Sequence, residues 1–149
     1  MRAVVQRVKS ASVMVGNDMI AKIGKGLVAL IGIEAGDTFE DANYITEKIV
    51  TLRIFEDEQG KMNRSVQKIE GDIILVSQFT LLGDARKGRR PSFTQAASPE
   101  DAKILYNYVV DLCSKKVKRV ETGEFQAEML VNILNDGPVT ILLDSKKQF

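Results

Sequence analysis

The sequence predicts a mixed α/β domain: mixed sheets packed face to face and closing barrel-like, with two helices on one side, in three layers α/β/β. Two kinds of observation carry this. The runs Leu27–Ile33 and Ile73–Val76 are continuously apolar, as strands covered on both faces are. Two other stretches, 38–53 and 98–118, carry helix-start signals followed by apolar residues at helical spacing. At 149 residues the chain fits one domain, 1–149, able to bury roughly two-thirds of its unfolded surface.

Taken in order, Ala3 to Lys9 and Ala11 to Val15 read as valine-rich extended segments, and Gly16-Asn17-Asp18 turns the chain into Met19 to Ile23. Gly24-Lys25-Gly26 makes a second turn before the central strand at Leu27. Thr38 is the expected N-cap of the first helix, with Asp41 three residues on, and Ala42, Ile45, Ile49 and Leu52 form its apolar face. Phe55 to Asn63 reads as a polar loop and Ser65 to Lys68 as a short strand. Ser98-Pro99-Glu100-Asp101 opens the second helix, with a capping serine, proline at the first position and acids in the first turn. Its face is Ala102, Leu105, Val109 and Leu112, and the cations from Lys115 to Arg119 suit its negative pole. Phe125 to Leu134 and Val139 to Leu143 read as strands separated by a turn at Asn135-Asp136-Gly137-Pro138.

Composition excludes much chemistry. There is no histidine, which removes histidine triads, imidazole bases and the commonest zinc sites. Cys113 is the single cysteine, so no disulfide or cysteine metal cluster forms within one chain, and it is expected to pack as a small apolar residue. No metal and no cofactor is expected. No apolar run approaches the roughly 20 residues of a membrane span, and the charged start of the chain lacks a signal-peptide core, so a cytoplasmic protein without a membrane partner is expected. A net charge of +1 leaves any polyanion to local basic patches.

Three stretches stand out. Ser77-Gln78-Phe79-Thr80 puts hydrogen-bonding side chains into an otherwise apolar strand. Burying such groups unpaired costs about 1–3 kcal/mol each, so they face a ligand, find internal partners, or mark a strand end in solvent. Arg86, Lys87, Arg89 and Arg90 place four positive charges in five positions around Gly88, as a phosphate grip or a solvated loop. Gly137-Pro138 combines a residue without Cβ with one of fixed φ. Ser77 and Thr80 have no evident base beside them, and an unactivated hydroxyl is a poor nucleophile.

Ser77-Gln78-Phe79-Thr80-Leu81 and Asn135-Asp136-Gly137-Pro138-Val139-Thr140 resemble the two hallmark motifs of the D-aminoacyl-tRNA deacylases. The start Met1-Arg2-Ala3-Val4-Val5-Gln6-Arg7-Val8, the Arg90-Pro91-Ser92-Phe93 segment and Thr122-Gly123 with Phe125, Ala127 and Met129 add to the likeness, which covers nearly the whole chain. Gln126 departs from it, standing where many members carry glycine.

The resemblance implies hydrolysis of the ester joining a D-amino acid, or glycine mischarged on tRNA(Ala), to the terminal adenosine of tRNA. It implies a homodimer with its active sites at the interface, in which a cis Gly137-Pro138 of one subunit faces Ser77 to Thr80 of the other. A site that accepts many D side chains and rejects every L one must fix the amino group, the ester and the α-hydrogen, and backbone atoms do this well. An aminoacyl ester is already activated, so orientation and oxyanion stabilisation by backbone amides near Phe79 and Thr80 suffice, with the ribose 2′-hydroxyl available to activate water. Thr80 as covalent nucleophile is the competing route. By the same resemblance Phe125 and Met129 lie around the terminal adenine, Arg7 props the Gly-Pro loop, and Arg86 to Arg90 contact the acceptor stem. The expected partner is the acceptor end of D-aminoacyl-tRNA, not DNA. Two rivals remain: a non-catalytic RNA- or nucleotide-binding module, and a small esterase that uses Thr80 and needs no tRNA.

Overall fold

The computed structural model describes residues 1–149. In chain order its elements are β1 (Arg2–Val15), β2 (Asp18–Ile23), β3 (Gly26–Gly32), α1 (Phe39–Thr51), β4 (Phe55–Glu56), β5 (Met62–Arg64), β6 (Asp72–Ser77), α2 (Pro99–Lys116), β7 (Val120–Thr122) and β8 (Leu130–Asp144), with a short 3-10 helix at Phe79–Leu82. β1 is the spine. One of its edges pairs antiparallel with β8 over residues 2–14; the other pairs with β3 over 2–8 and then with β2 over 11–15. Beyond β3 the sheet turns parallel through β6 to β7.

Alternation along the strands sends side chains to two cores. Leu27, Ala29 and Ile31 of β3 and Ile73 and Leu75 of β6 meet Ile45 and Ile49 of α1 and Leu105 and Val109 of α2. Val28, Ile74 and Val76 point the other way and pack with Val8, Val13 and Ile23 inside the curl of the sheet. The result is the expected barrel-like mixed sheet with both helices on one side, its halves hydrogen-bonded together through β1. Burial on both faces explains why β3 and β6 read as unbroken apolar runs.

The helix starts follow their local signals. Thr38 N donates to Asp41 Oδ2 at 2.8 Å, and Ser98 Oγ accepts from Asp101 N at 3.2 Å with Pro99 at the first position. Cys113 is fully buried between α2 and the sheet, which pushes its thiol up to about 12. No helix is long and apolar enough to cross a membrane.

Five local expectations are corrected. Ser65 to Lys68 is not a strand: Ile69 N and Gly71 N bond back to Ser65 O and Val66 O, a turn that plugs Val66 into the core. The polar loop after Phe55 contains the small β4–β5 hairpin, its turn held by Asp57 Oδ1 accepting from Gln59 N and Lys61 N. Glu121-Thr122, between the expected helix 98–118 and the strand expected from Phe125, belongs to β7. The stretch from Phe125 begins as a turn, with Ala127 N bonded to Glu124 O at 3.2 Å, and becomes strand only at Leu130.

The fifth correction matters most. Asn135-Asp136-Gly137-Pro138 does not reverse the chain, because β8 runs through it and both flanks pair with the same β1. Val8 pairs with Asn135 and Gln6 with Thr140, so residues 136–139 bulge out opposite the single residue Arg7. Asn135 closes the base of this bulge, its Nδ2 donating to Arg7 O at 2.9 Å and Val139 O at 3.1 Å. Side-chain amides substitute for ladder bonds in this way where a strand must bulge.

Candidate active site

β6 ends at Ser77, and Gln78 N then bonds to Ile31 O at 2.7 Å before the chain coils into the 3-10 helix. Phe79 and Thr80 therefore leave the strand, contrary to the extended reading of the motif. Gly32 permits the turn. A Cβ there would meet Leu82 Cδ2 at 2.5 Å and Gln78 O at 3.0 Å, so only glycine lets the coil lie over the end of β3. Gln78 Nε2 donates to Thr80 Oγ1, and the half-exposed Phe79 ring stands edge-on to Phe93 at 5.2 Å. The main-chain N–H groups of Phe79 and Thr80 lead the 3-10 helix and enter none of the turn, loop or cap hydrogen bonds, as the first donors of a helix do.

Beside this coil lies a cavity of about 560 Å³. Ser77, Gln78 and Phe79 line one wall, Phe125, Gln126 and Met129 another, and Ala96 and Ala97 before α2 with Pro99 and Ala102 in its first turn a third side. No lining side chain is titratable. The cavity can therefore enclose an apolar or aromatic group and offer amide and hydroxyl contacts, but it supplies no acid or base of its own. Thr80 lies outside the lining, exposed, and its side-chain partner Gln78 presents an amide N–H, which activates no nucleophile.

One residue that backs the wall escaped sequence reasoning. Tyr106 lies under Phe125, ring centroids 6.0 Å apart, and its hydroxyl donates to Leu75 O at 2.9 Å inside the core. A tyrosine next to Leu105 on the buried face of α2 was the available signal. Gln126 has φ +64, the left-handed region, which accounts for glycine being suited to this place. We expect Gln126→Val to destabilise the fold by about 1–2 kcal/mol and Gln126→Gly to be near neutral, as read from urea denaturation midpoints.

The remaining candidates fall into two other groups. Arg7 is buried, donating from Nη1 to Ile54 O at 2.7 Å and from Nε to Asp136 O at 3.3 Å, with Asp136 Oδ2 3.4 Å away. It thus ties the bulge to the exit of α1. Gly137, at φ +116 and joined to Pro138 by a cis peptide, is exposed at the tip with Pro138, and neither lines the cavity of its own chain. Arg86, Lys87, Arg89 and Arg90 occupy an exposed loop whose base is closed by Asp84 and Ser92, each N–H bonded to the other's carbonyl at 2.8 and 2.9 Å. Arg86 turns back on Asp84 at 2.6 Å and holds its carboxyl far below the usual range, while Lys87, Arg89 and Arg90 form no ion pair.

Comparison with known proteins shows the family and the fold. The family described as D-Tyr-tRNA(Tyr) deacylase matches residues 4–144. Proteins called D-aminoacyl-tRNA deacylase from Clostridium botulinum and Caldicellulosiruptor saccharolyticus are 62% and 60% identical over 149 residues, covering all of each chain. A solved structure called c-Myc DNA Unwinding Element Binding Protein superposes with a TM-score of 0.92 at 44% identity, over 97% of this chain and 98% of that one. A second, of a probable eukaryotic D-amino acid tRNA deacylase, shares the fold with a TM-score of 0.83 at 19% identity, over 95% of this chain and 97% of that one. With the family matched over residues 4–144 and relatives matched end to end, the chain belongs to the D-Tyr-tRNA(Tyr) deacylase family.

Proposed function

We propose that the protein hydrolyses the ester bond of D-aminoacyl-tRNA in the cytoplasm, releasing free D-amino acid and tRNA, and works as a homodimer. The observation that carries the reading is the cavity between Ser77–Phe79 and Phe125–Met129, which pairs an aromatic wall with the leading main-chain donors of the 3-10 helix and holds no ionisable group. The aromatic wall takes the terminal adenine by stacking and the donors take the oxyanion. With no base in the protein wall, the 2′-hydroxyl of the terminal ribose activates or orients the attacking water.

The character of β8 supports dimerisation. It is a fifteen-residue edge strand, paired on one side only, with Leu130, Leu134 and Leu142 exposed by 59–65%. Long apolar edges of this kind are covered in native proteins, and a second copy related by a two-fold axis covers both at once. That assembly brings the protruding Gly137-Pro138 of one subunit over the cavity of the other. Backbone at that place collides with an L side chain and leaves a D side chain free. Glycine has no side chain to collide, so glycyl-tRNA, including glycine mischarged on tRNA(Ala), is a substrate.

The test offers D-tyrosyl-tRNA, L-tyrosyl-tRNA and a simple D-tyrosine ester, with duplex DNA as a binding control. Cleavage of the first alone is expected. Binding without cleavage, or cleavage of the simple ester, transfers the case to the binding module or to the esterase. Thr80→Ala is expected to lose less than about 100-fold in kcat, against on the order of 10⁶-fold for removal of a true hydroxyl nucleophile, and quenched turnover should contain no acyl-enzyme.

A further inference from the structure

A second cleft, of about 460 Å³, lies behind the 3-10 helix and is lined almost wholly by polar groups: Arg2, Gly83, Asp84, Arg86, Gln95 and Gln148. Arg2 is held there with hydrogen-bonding capacity to spare. Its Nη1 and Nη2 reach Leu81 O and Gln148 Oε1 only at 3.4 Å, and its buried Nε forms no hydrogen bond, only a long ion pair with the Asp144 carboxylate at 3.8 Å. Across the cleft Arg86 spends Nε and Nη2 on Asp84, leaving Nη1 to donate. Two guanidinium groups, two glutamine amides and one already engaged carboxylate are a donor-rich set, to which Lys87, Arg89 and Arg90 in the adjoining loop add positive charge. Guanidinium forks with neutral amides beside them match the several oxygens of a phosphate.

The cleft and the cavity share no lining residue, but adjacent stretches of the chain build both. Gly83 closes the coil that carries Phe79, and Gln95 precedes Ala96 of the cavity wall. The geometry points to the cleft formed by Arg2, Arg86, Gln95 and Gln148 as a phosphate subsite for the nucleic-acid strand whose 3′ end enters the cavity. That occupant rests on the function proposed above. Arg2 is then the inner contact, and the exposed basic loop makes the outer ones.

Binding of uncharged tRNA to the full-length protein over a salt series tests this without depending on turnover. Arg2→Gln is expected to weaken binding about tenfold at low salt and to reduce the slope of log affinity against log salt by about 0.7–0.9, one phosphate contact. Gln148→Glu, at an exposed position where folding is not at stake, places a carboxylate beside Arg2 and should act in the same direction. Lys115→Gln, whose charge is engaged with Asp111 on α2, should keep the wild-type slope. A wild-type slope in both cleft variants, or an equal fall in Lys115→Gln, overturns the proposal; if Arg2→Gln does not fold, Gln148→Glu decides alone. Failure of the wild type to cleave D-aminoacyl-tRNA sinks the proposed function instead, and leaves the slope to judge the cleft.

Discussion

Gly137→Ala is expected to lower kcat/KM for D-tyrosyl-tRNA by at least about 100-fold while leaving far-ultraviolet circular dichroism unchanged. The cause is local. At φ +116 an L residue is strained by on the order of 1–3 kcal/mol, and the added Cβ would stand 3.0 Å from Arg7 Nη2 and 2.8 Å from Val139 Cγ2. The bulge must shift to relieve this, and a shift of about 1 Å at a surface that orients substrate is enough for a loss of that size. Folding is protected because the flanking pairs, Val8 with Asn135 and Gln6 with Thr140, lie outside the strained residue. Initial rates on D- and L-tyrosyl-tRNA measure the outcome; wild-type rates in the variant would deny the bulge any part in the site.

Arg7→Ala should be the most destabilising single change among the site residues, costing about 3 kcal/mol and lowering Tm by about 6–12 °C. Arg7 is 7% exposed, and its removal strips the buried carbonyl of Ile54 and one side of Asp136 of their donor. Asp136 is 27% exposed, so water offsets part of that loss and keeps the figure at the low end for a buried pair. Arg7→Lys should recover less than half of it, since a single ammonium cannot reach both Ile54 and the bulge as the guanidinium fork does. Thermal denaturation of the two variants measures this. A Tm for Arg7→Ala within 2 °C of wild type, roughly what less than 1 kcal/mol produces, would show that the bulge stands without its prop.

What could be read from the sequence was what local chemistry decides. The caps at Thr38 and Ser98 act within three residues, and β3 and β6 are apolar because each is covered on both faces. What could not be read was decided by residues far away in the chain. Asn135-Asp136-Gly137-Pro138 has the composition of a reversal, and only its pairing with β1, some 130 positions upstream, makes it a bulge inside one strand. The coil at Phe79 depends on Gly32 across the sheet, and the turn at Gln126 on a backbone conformation that glutamine does not advertise. Phe125 and Met129 line the cavity, a position that residue chemistry alone does not distinguish from packing in a core strand.

The separation of the bulge from the cavity of its own chain has a genetic consequence. In the proposed dimer a lesion at Gly137 damages not the polypeptide that carries it but the neighbour's cavity, while a lesion at Phe125 damages its own. Two defective alleles of these different kinds, mixed in one cell, would assemble into dimers with one ruined site and one sound site made from the intact half of each, so each mutant would rescue the other.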